Sequence, residues 1–192
     1  MIIKCYNTNH PYLVFLDLEF NNKTLVQFSG LLFKKIEEGV YQLSRSCNQY
    51  ITTKVCFPFI EYTNITNGFL HENGVSIEDM KQIIFNDFLA NICLKDVLII
   101  SHGLKNDRLV LGMNDINLTT TADGKGPIDG YCTFNNAKKI LMREKHLSAQ
   151  DLAEECGYYL HHAHNAYNDV WAEVAIFTYL KKLEQQNLQE GM

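Results

Sequence analysis

Segment 12–20, YLVFLDLEF, constrains this chain more than any other stretch, because it is an apolar run of strand length into which two acids, Asp17 and Glu19, are set. Strand side chains alternate with a period of two, so both acids share one face with Leu13 and Phe15. Two anions held that close lose hydration and repel each other, and each tends to protonate. A bound cation resolves the conflict, and hard oxygen ligands suit Mg²⁺ or Mn²⁺ rather than softer metals that prefer thiolate. The plainer alternative is a strand that ends near Leu16 and leaves both acids in water, where most acids reside.

Two later segments add acids at positions of the same kind. Residues 96–102, DVLIISH, read as a short buried strand emerging at Ser101 and His102, and LKNDRLVL after it predicts a helix with Asp107 at its start. Open α/β sheets place their sites just past the carboxyl ends of such strands. An acid at a helix start also interacts with the macrodipole without binding anything. Near the end of the chain, Ala166, Val170, Val174 and Phe177 recur at helical spacing, which puts Asp169 in the first turns of a long final helix. His164 precedes that helix and can lean over the same end, where an imidazole that titrates near neutrality can take a proton from water. The neighbouring His161 and His162 fit ordinary surface or packing, or an HHxH zinc cluster with His164 that lacks further ligands at short spacing.

The rest of the pattern predicts a single domain. With 192 residues, 46% of them hydrophobic, and three prolines, the chain can bury a substantial core, expected over 1–183 with a tail at 184–192. Segments 25–33 and 40–51 read as strands joined through Glu37, Glu38 and Gly39. Segment 75–92 reads as an amphipathic helix with Ser76 and Asp79 as a capping pair and Ile77, Met80, Ile84 and Phe88 as its apolar stripe. Six cysteines without a CxxC pair read as reduced core residues. No apolar stretch before Asp17 is long enough for a signal peptide and none approaches a membrane span, so the Asn-x-Thr triplets at Asn22, Asn64 and Asn117 are incidental and a cytoplasmic location is expected.

Taken together, VFLDLEF, HGLKND and HNAYND resemble, in order and spacing, the three motifs of the DEDDh 3′-to-5′ exonucleases, the superfamily that includes the proofreading epsilon subunit of bacterial DNA polymerase III. The resemblance runs from about residue 13 to residue 180. It implies a ribonuclease H-like α/β fold, a five-stranded mixed sheet with helices on both faces. It also implies two Mg²⁺ or Mn²⁺ ions, with Asp17 bridging both, Glu19 and Asp169 completing one site, and Asp107 holding the other through water. His164 would deprotonate the attacking water, and nucleoside 5′-monophosphates would leave the 3′ ends of single-stranded DNA or RNA. Leu18, Phe20, His102 and Asn106 are the implied contacts to the terminal nucleotide, and a polymerase or other nucleic-acid-processing protein is the implied partner. Two departures stand out: Phe20, Asn21 and Asn22 follow Glu19 where many relatives have Thr-Thr-Gly, and Gly103 and Asn106 replace the usual asparagine and aromatic of the second motif.

A net charge of −5 disfavours tight coating of a duplex, since nonspecific affinity comes mainly from Lys and Arg on phosphates. Two divalent cations would add positive charge at the one place it matters. The polar, aperiodic segment 112–127 is expected to flank the substrate groove with Lys125 near phosphate, or to be a plain surface excursion. Its GKG lacks the spacing of a phosphate-binding P-loop. Two rival functions stand beside the nuclease: a noncatalytic accessory subunit that binds nucleic acid, and a zinc hydrolase built on the histidine cluster.

Overall fold

The computed structural model describes residues 1–120, 126–143, 147–160 and 164–190. Its first half runs β1 (Ile2–Lys4), β2 (Tyr12–Asn21), β3 (Thr24–Glu37), β4 (Val40–Tyr50), then the short helices α1 (Phe57–Thr63), α2 (Asn67–Asn73) and α3 (Ile77–Gln82). In the second half β5 (Val97–Ser101) leads into α4 (Leu104–Met113), β6 (Asp129–Cys132) leads into α5 (Thr133–Ile140), and α6 (Ala149–Glu155) precedes the long α7 (Ala166–Glu190).

The strands form one mixed sheet in the order β1-β4-β3-β2-β5-β6. Neighbours from β1 to β2 pair antiparallel, while β2–β5 and β5–β6 are parallel. Six strands replace the five expected, with β1 adding an edge beyond β4. Three residues are too few to show a period, and only Ile3 of β1 is buried, so nothing in the sequence pattern announces this strand.

The central position of β2 explains its unbroken apolar run, because a strand paired on both sides and covered on both faces buries every side chain. Leu13 and Phe15 enter one core layer with Val170, Ile176 and Phe177 of α7. Phe15 meets Phe33 and Phe177 edge-on, at ring-centroid distances of 5.5 and 5.4 Å. Val14, Leu16 and Leu18 enter the opposite layer with Met80, Leu104, Val110 and Leu111. A mixed sheet flanked in this way by helices is consistent with a ribonuclease H-like fold.

The helix expected over 75–92 begins as its cap predicts, with the Ser76 hydroxyl accepting from Asp79 N at 3.1 Å. It is α-helical only to Gln82 and then widens into a π-helical turn, Ile83–Phe88. Met80, Ile84 and Phe88 are buried as the stripe implied. The wider turn seats the Phe88 ring on Gly30, where a Cβ would come within 2.8 Å of it, and Arg45 donates to the carbonyls of Phe88 and Ala90 at 3.1 and 2.9 Å.

Regular structure extends into two segments that the sequence pattern leaves irregular. α7 continues to Glu190 without a break at 183, and Lys181 reaches across that boundary to Glu184 at 2.7 Å. The polar segment after α4 is anchored by buried Ile116 and Leu118 and by a bridge between Thr120 and Pro127; Lys125 lies outside the described residues. No helix among the described residues is long and apolar enough to cross a membrane.

Candidate active site

The cleft follows from unequal strand lengths. Parallel pairing of β2 with β5 stops at Phe15↔Ile100, so from Leu16 onward β2 has only β3 beside it. Asp17 and Glu19 therefore extend past the end of β5, opposite Ser29 and Gln27 of β3. The register shifts between Glu19 and Phe20, an irregularity of the kind that re-aims side chains beside active sites. Only His102 and Gly103 separate β5 from α4, which brings Asp107, in the first turn, to the same end of the sheet. At the start of α7, Ala166 N donates to the buried side-chain oxygen of Gln27 at 3.2 Å, and so Asp169 is set beside β2.

Convergence of these segments brings one carboxylate oxygen each of Asp17, Glu19 and Asp169 within 4.8 Å of one another. One oxygen of Asp169, Oδ2, accepts from His164 N at 3.0 Å. Its other oxygen, Oδ1, is buried with no hydrogen-bond partner. Asp107 is buried and accepts from the Ser101 hydroxyl. Among the described residues no lysine or arginine is paired with any of the four acids.

Without a counter-charge, the cleft favours protonated acids. Burial pushes the Asp17 carboxyl well above the ordinary range, and the charges of Asp107, Asp169, Glu19 and Glu173 push it further. Burial followed by Asp169 raises Glu19 to about 7. Asp107 rises to about 6 by burial against the opposing Ser101 hydrogen bond, and Asp169 to about 6 by burial against bonds from the backbone of His164 and Asn165. An all-oxygen donor set, a buried carboxylate oxygen with nothing bonded to it, and clustered uncompensated acids fit a hard divalent cation such as Mg²⁺ or Mn²⁺.

His164 occupies a left-handed backbone conformation, φ 67°, two residues before α7. Its ring stacks on Tyr62 of α1 with centroids 3.7 Å apart and planes tilted by 33°. Burial lowers its pKa, which favours the neutral imidazole that can accept a proton.

The expected nucleotide contacts divide. Phe20 is 38% exposed at the rim and Asn106 is exposed. Leu18 is buried in the opposite core layer, as the parity of the strand requires for a residue between Asp17 and Glu19. His102 has both ring nitrogens facing the protein, Nδ1 toward Thr133 Oγ1 and Nε2 toward Leu147 O, each at 3.0 Å. The side chains of Leu18 and His102 thus face the protein. His161 and His162, with the zinc cluster they suggested, lie outside the described residues.

A fifth acid escaped the motif reading. Glu173 is buried one turn beyond Asp169 and accepts from the Thr133 hydroxyl at 2.9 Å. Burial raises its pKa to about 8, with Asp107 and Asp169 adding to the shift and the Thr133 bond opposing it. Its signal in the sequence was a carboxylate on the apolar face of α7, between Val170 and Phe177. The buried amide of Gln27 and the exposed ring of Tyr62 carried no comparable signal.

The mixed sheet, its flanking helices and the clustered carboxylates are consistent with a ribonuclease H-like α/β fold that carries an acidic site. No family model matches the sequence and no curated protein matches it. Solved structures share the fold. The nuclease domain of 3′hExo, a DEDDh family member bound to rAMP, superposes with a TM-score of 0.63 at 12% identity over 91% of this chain and 94% of its own. Exonuclease X in complex with 5′ overhanging duplex DNA gives 0.63 at 15% identity, covering 90% and 93%. Exonuclease I of E. coli with a dT13 oligonucleotide gives 0.69 at 13% identity, covering 93% of this chain and 43% of that one.

Proposed function

We propose that this chain is a DEDDh-type 3′-to-5′ exonuclease that hydrolyses phosphodiester bonds of single-stranded DNA or RNA and releases nucleoside 5′-monophosphates. The observation that carries this reading is the meeting of Asp17, Glu19 and Asp169 within 4.8 Å, with Oδ1 of Asp169 buried and unbonded. The all-oxygen donor set favours Mg²⁺ or Mn²⁺ over the zinc alternative.

Asp17, Glu19 and Asp169 would hold one cation, and Asp17 with Asp107 a second. Such ions, when bound, supply Lewis acidity that lowers the pKa of water from 15.7 towards about 7 and neutralises charge on the leaving oxygen. His164, neutral and partly buried, accepts the proton of the attacking water. Phe20 at the rim offers a face for the terminal base, and Asn106 a polar contact. An acidic chain grips long substrates weakly, so processive action would require a partner, a polymerase or another processing protein.

Digestion of matched 3′-labelled single-stranded DNA, single-stranded RNA, duplex and dinucleotide substrates with Mg²⁺ and with Mn²⁺ tests the reading. Stepwise shortening from the 3′ end, abolished in Asp17→Ala, is the expected result. An Asp17→Ala protein, free of contaminating nuclease, that shortens the strand at the wild-type rate would sink it.

A further inference from the structure

We infer that Tyr62 is a positioning residue that orients His164 for proton transfer, an inference that rests on the exonuclease reading and deepens it. Among the described residues the His164 ring has no hydrogen bond; the group that engages it is the face of Tyr62, at 3.7 Å. A general base works only when its ring nitrogen is aimed at the proton it removes. With its backbone in the left-handed region, His164 sits on a bend two residues ahead of α7. The Tyr62 plane supplies the missing restraint.

The placement of α1 agrees with this role. The helix buries none of its own residues fully and rests on a small cluster of Val26, Val55, Ile65 and Leu70 through half-buried Phe59 and Ile60. Its start is tied to the tip of β2, where Cys56 Sγ donates to Asn21 Oδ1 at 3.2 Å. Its last turn carries Tyr62 to His164. One end of α1 is thus referenced to the strand that bears Asp17 and Glu19, and the other to the base. Tyr62 is 61% exposed and its hydroxyl makes no hydrogen bond among the described residues, so the ring face, not the OH, is the working part.

The test compares wild type with Tyr62→Phe, Tyr62→Leu and Tyr62→Ala on a short 3′-labelled single strand with Mn²⁺, alongside NMR of the His164 ring protons in metal-free protein. Stacking shifts those protons upfield; Phe keeps the shift, while Leu and Ala lose it. Turnover in Leu and Ala should fall about threefold to tenfold, the order expected for one aromatic pair. KM and Mn²⁺ affinity should stay near wild type, and Phe should restore kcat. Wild-type kcat in Ala after the shift is lost overturns the inference. So does a rise in KM alone, which would make Tyr62 a platform for a base, or a Phe variant as impaired as Ala. If His164→Asn itself retains full turnover, the general-base reading fails instead, and the ring shift still reports whether the stack exists.

Discussion

Gln27 and Ala166 are joined by a hydrogen bond of 3.2 Å in which the backbone N–H of Ala166 donates to the Gln27 side-chain oxygen. Gln27 lies opposite Glu19 in the β2–β3 ladder, so this bond sets the start of α7 against the strand that carries the acids. Its amide nitrogen donates to Asn48 Oδ1 at 2.9 Å, an oxygen that also accepts from the Ser29 hydroxyl at 2.8 Å.

Gln27→Leu keeps the volume and removes the bonds. Leaving the buried Ala166 N without its partner costs about 1–3 kcal/mol, which urea unfolding will register. Mn²⁺ affinity should weaken as well, because Asp169 is no longer held beside Asp17. Full metal affinity in a destabilised Gln27→Leu protein would show that α7 finds its place without this bond.

His164→Asn should lower turnover by about 10²- to 10⁴-fold, the usual contribution of a general base. Asparagine tolerates the left-handed backbone, and the contact to Asp169 comes from the main chain, so Mn²⁺ binding measured calorimetrically should persist. Loss of binding would make the imidazole a ligand.

Stability of the metal-free protein should fall as pH rises. The clustered carboxyls have folded pKa values above their unfolded values, so the folded state binds more protons, and the stability this confers is full below about pH 4 and lost as pH climbs through the folded values. That window runs from about 6 for Asp107 and Asp169, through about 7 for Glu19, to about 8 for Glu173. Urea unfolding in chelator from pH 4 to 9 measures the slope, and saturating Mg²⁺ or Mn²⁺ should reverse it. Glu173→Gln should flatten its upper part. A metal-free protein equally stable at pH 5 and pH 8 contradicts the picture of an uncompensated acidic cleft.

Gly30→Ala tests the packing behind the π-helical turn. The added methyl meets the Phe88 ring at 2.8 Å, and overpacking of this kind costs about 1–3 kcal/mol. Thermal melts should show the loss, and pairing with Phe88→Leu should recover part of it. Metal binding should not change, since Phe88 packs in the layer on the far face of the sheet from Phe15 and α7.

Local periodicity made much of this protein legible in its sequence. Alternation along 12–20 placed Asp17 and Glu19 on one face, 3.6-residue spacing put Asp169 at the start of α7, and the polar end of β5 located Asp107. Each of these depends on residues a few positions apart. What joins them does not: Gln27 reaches Ala166 across 139 residues and Thr133 reaches Glu173 across 40. The folded chain alone decided that His102 spends both ring nitrogens on the scaffold, that Tyr62 covers His164, and that Asp107 and Glu173 come near enough to Asp17 to raise its pKa. Side-chain direction along a strand or helix is set by backbone geometry over a single turn or pleat, whereas the meeting of distant segments is set by how the two core layers pack, and spacing along the chain carries no record of that.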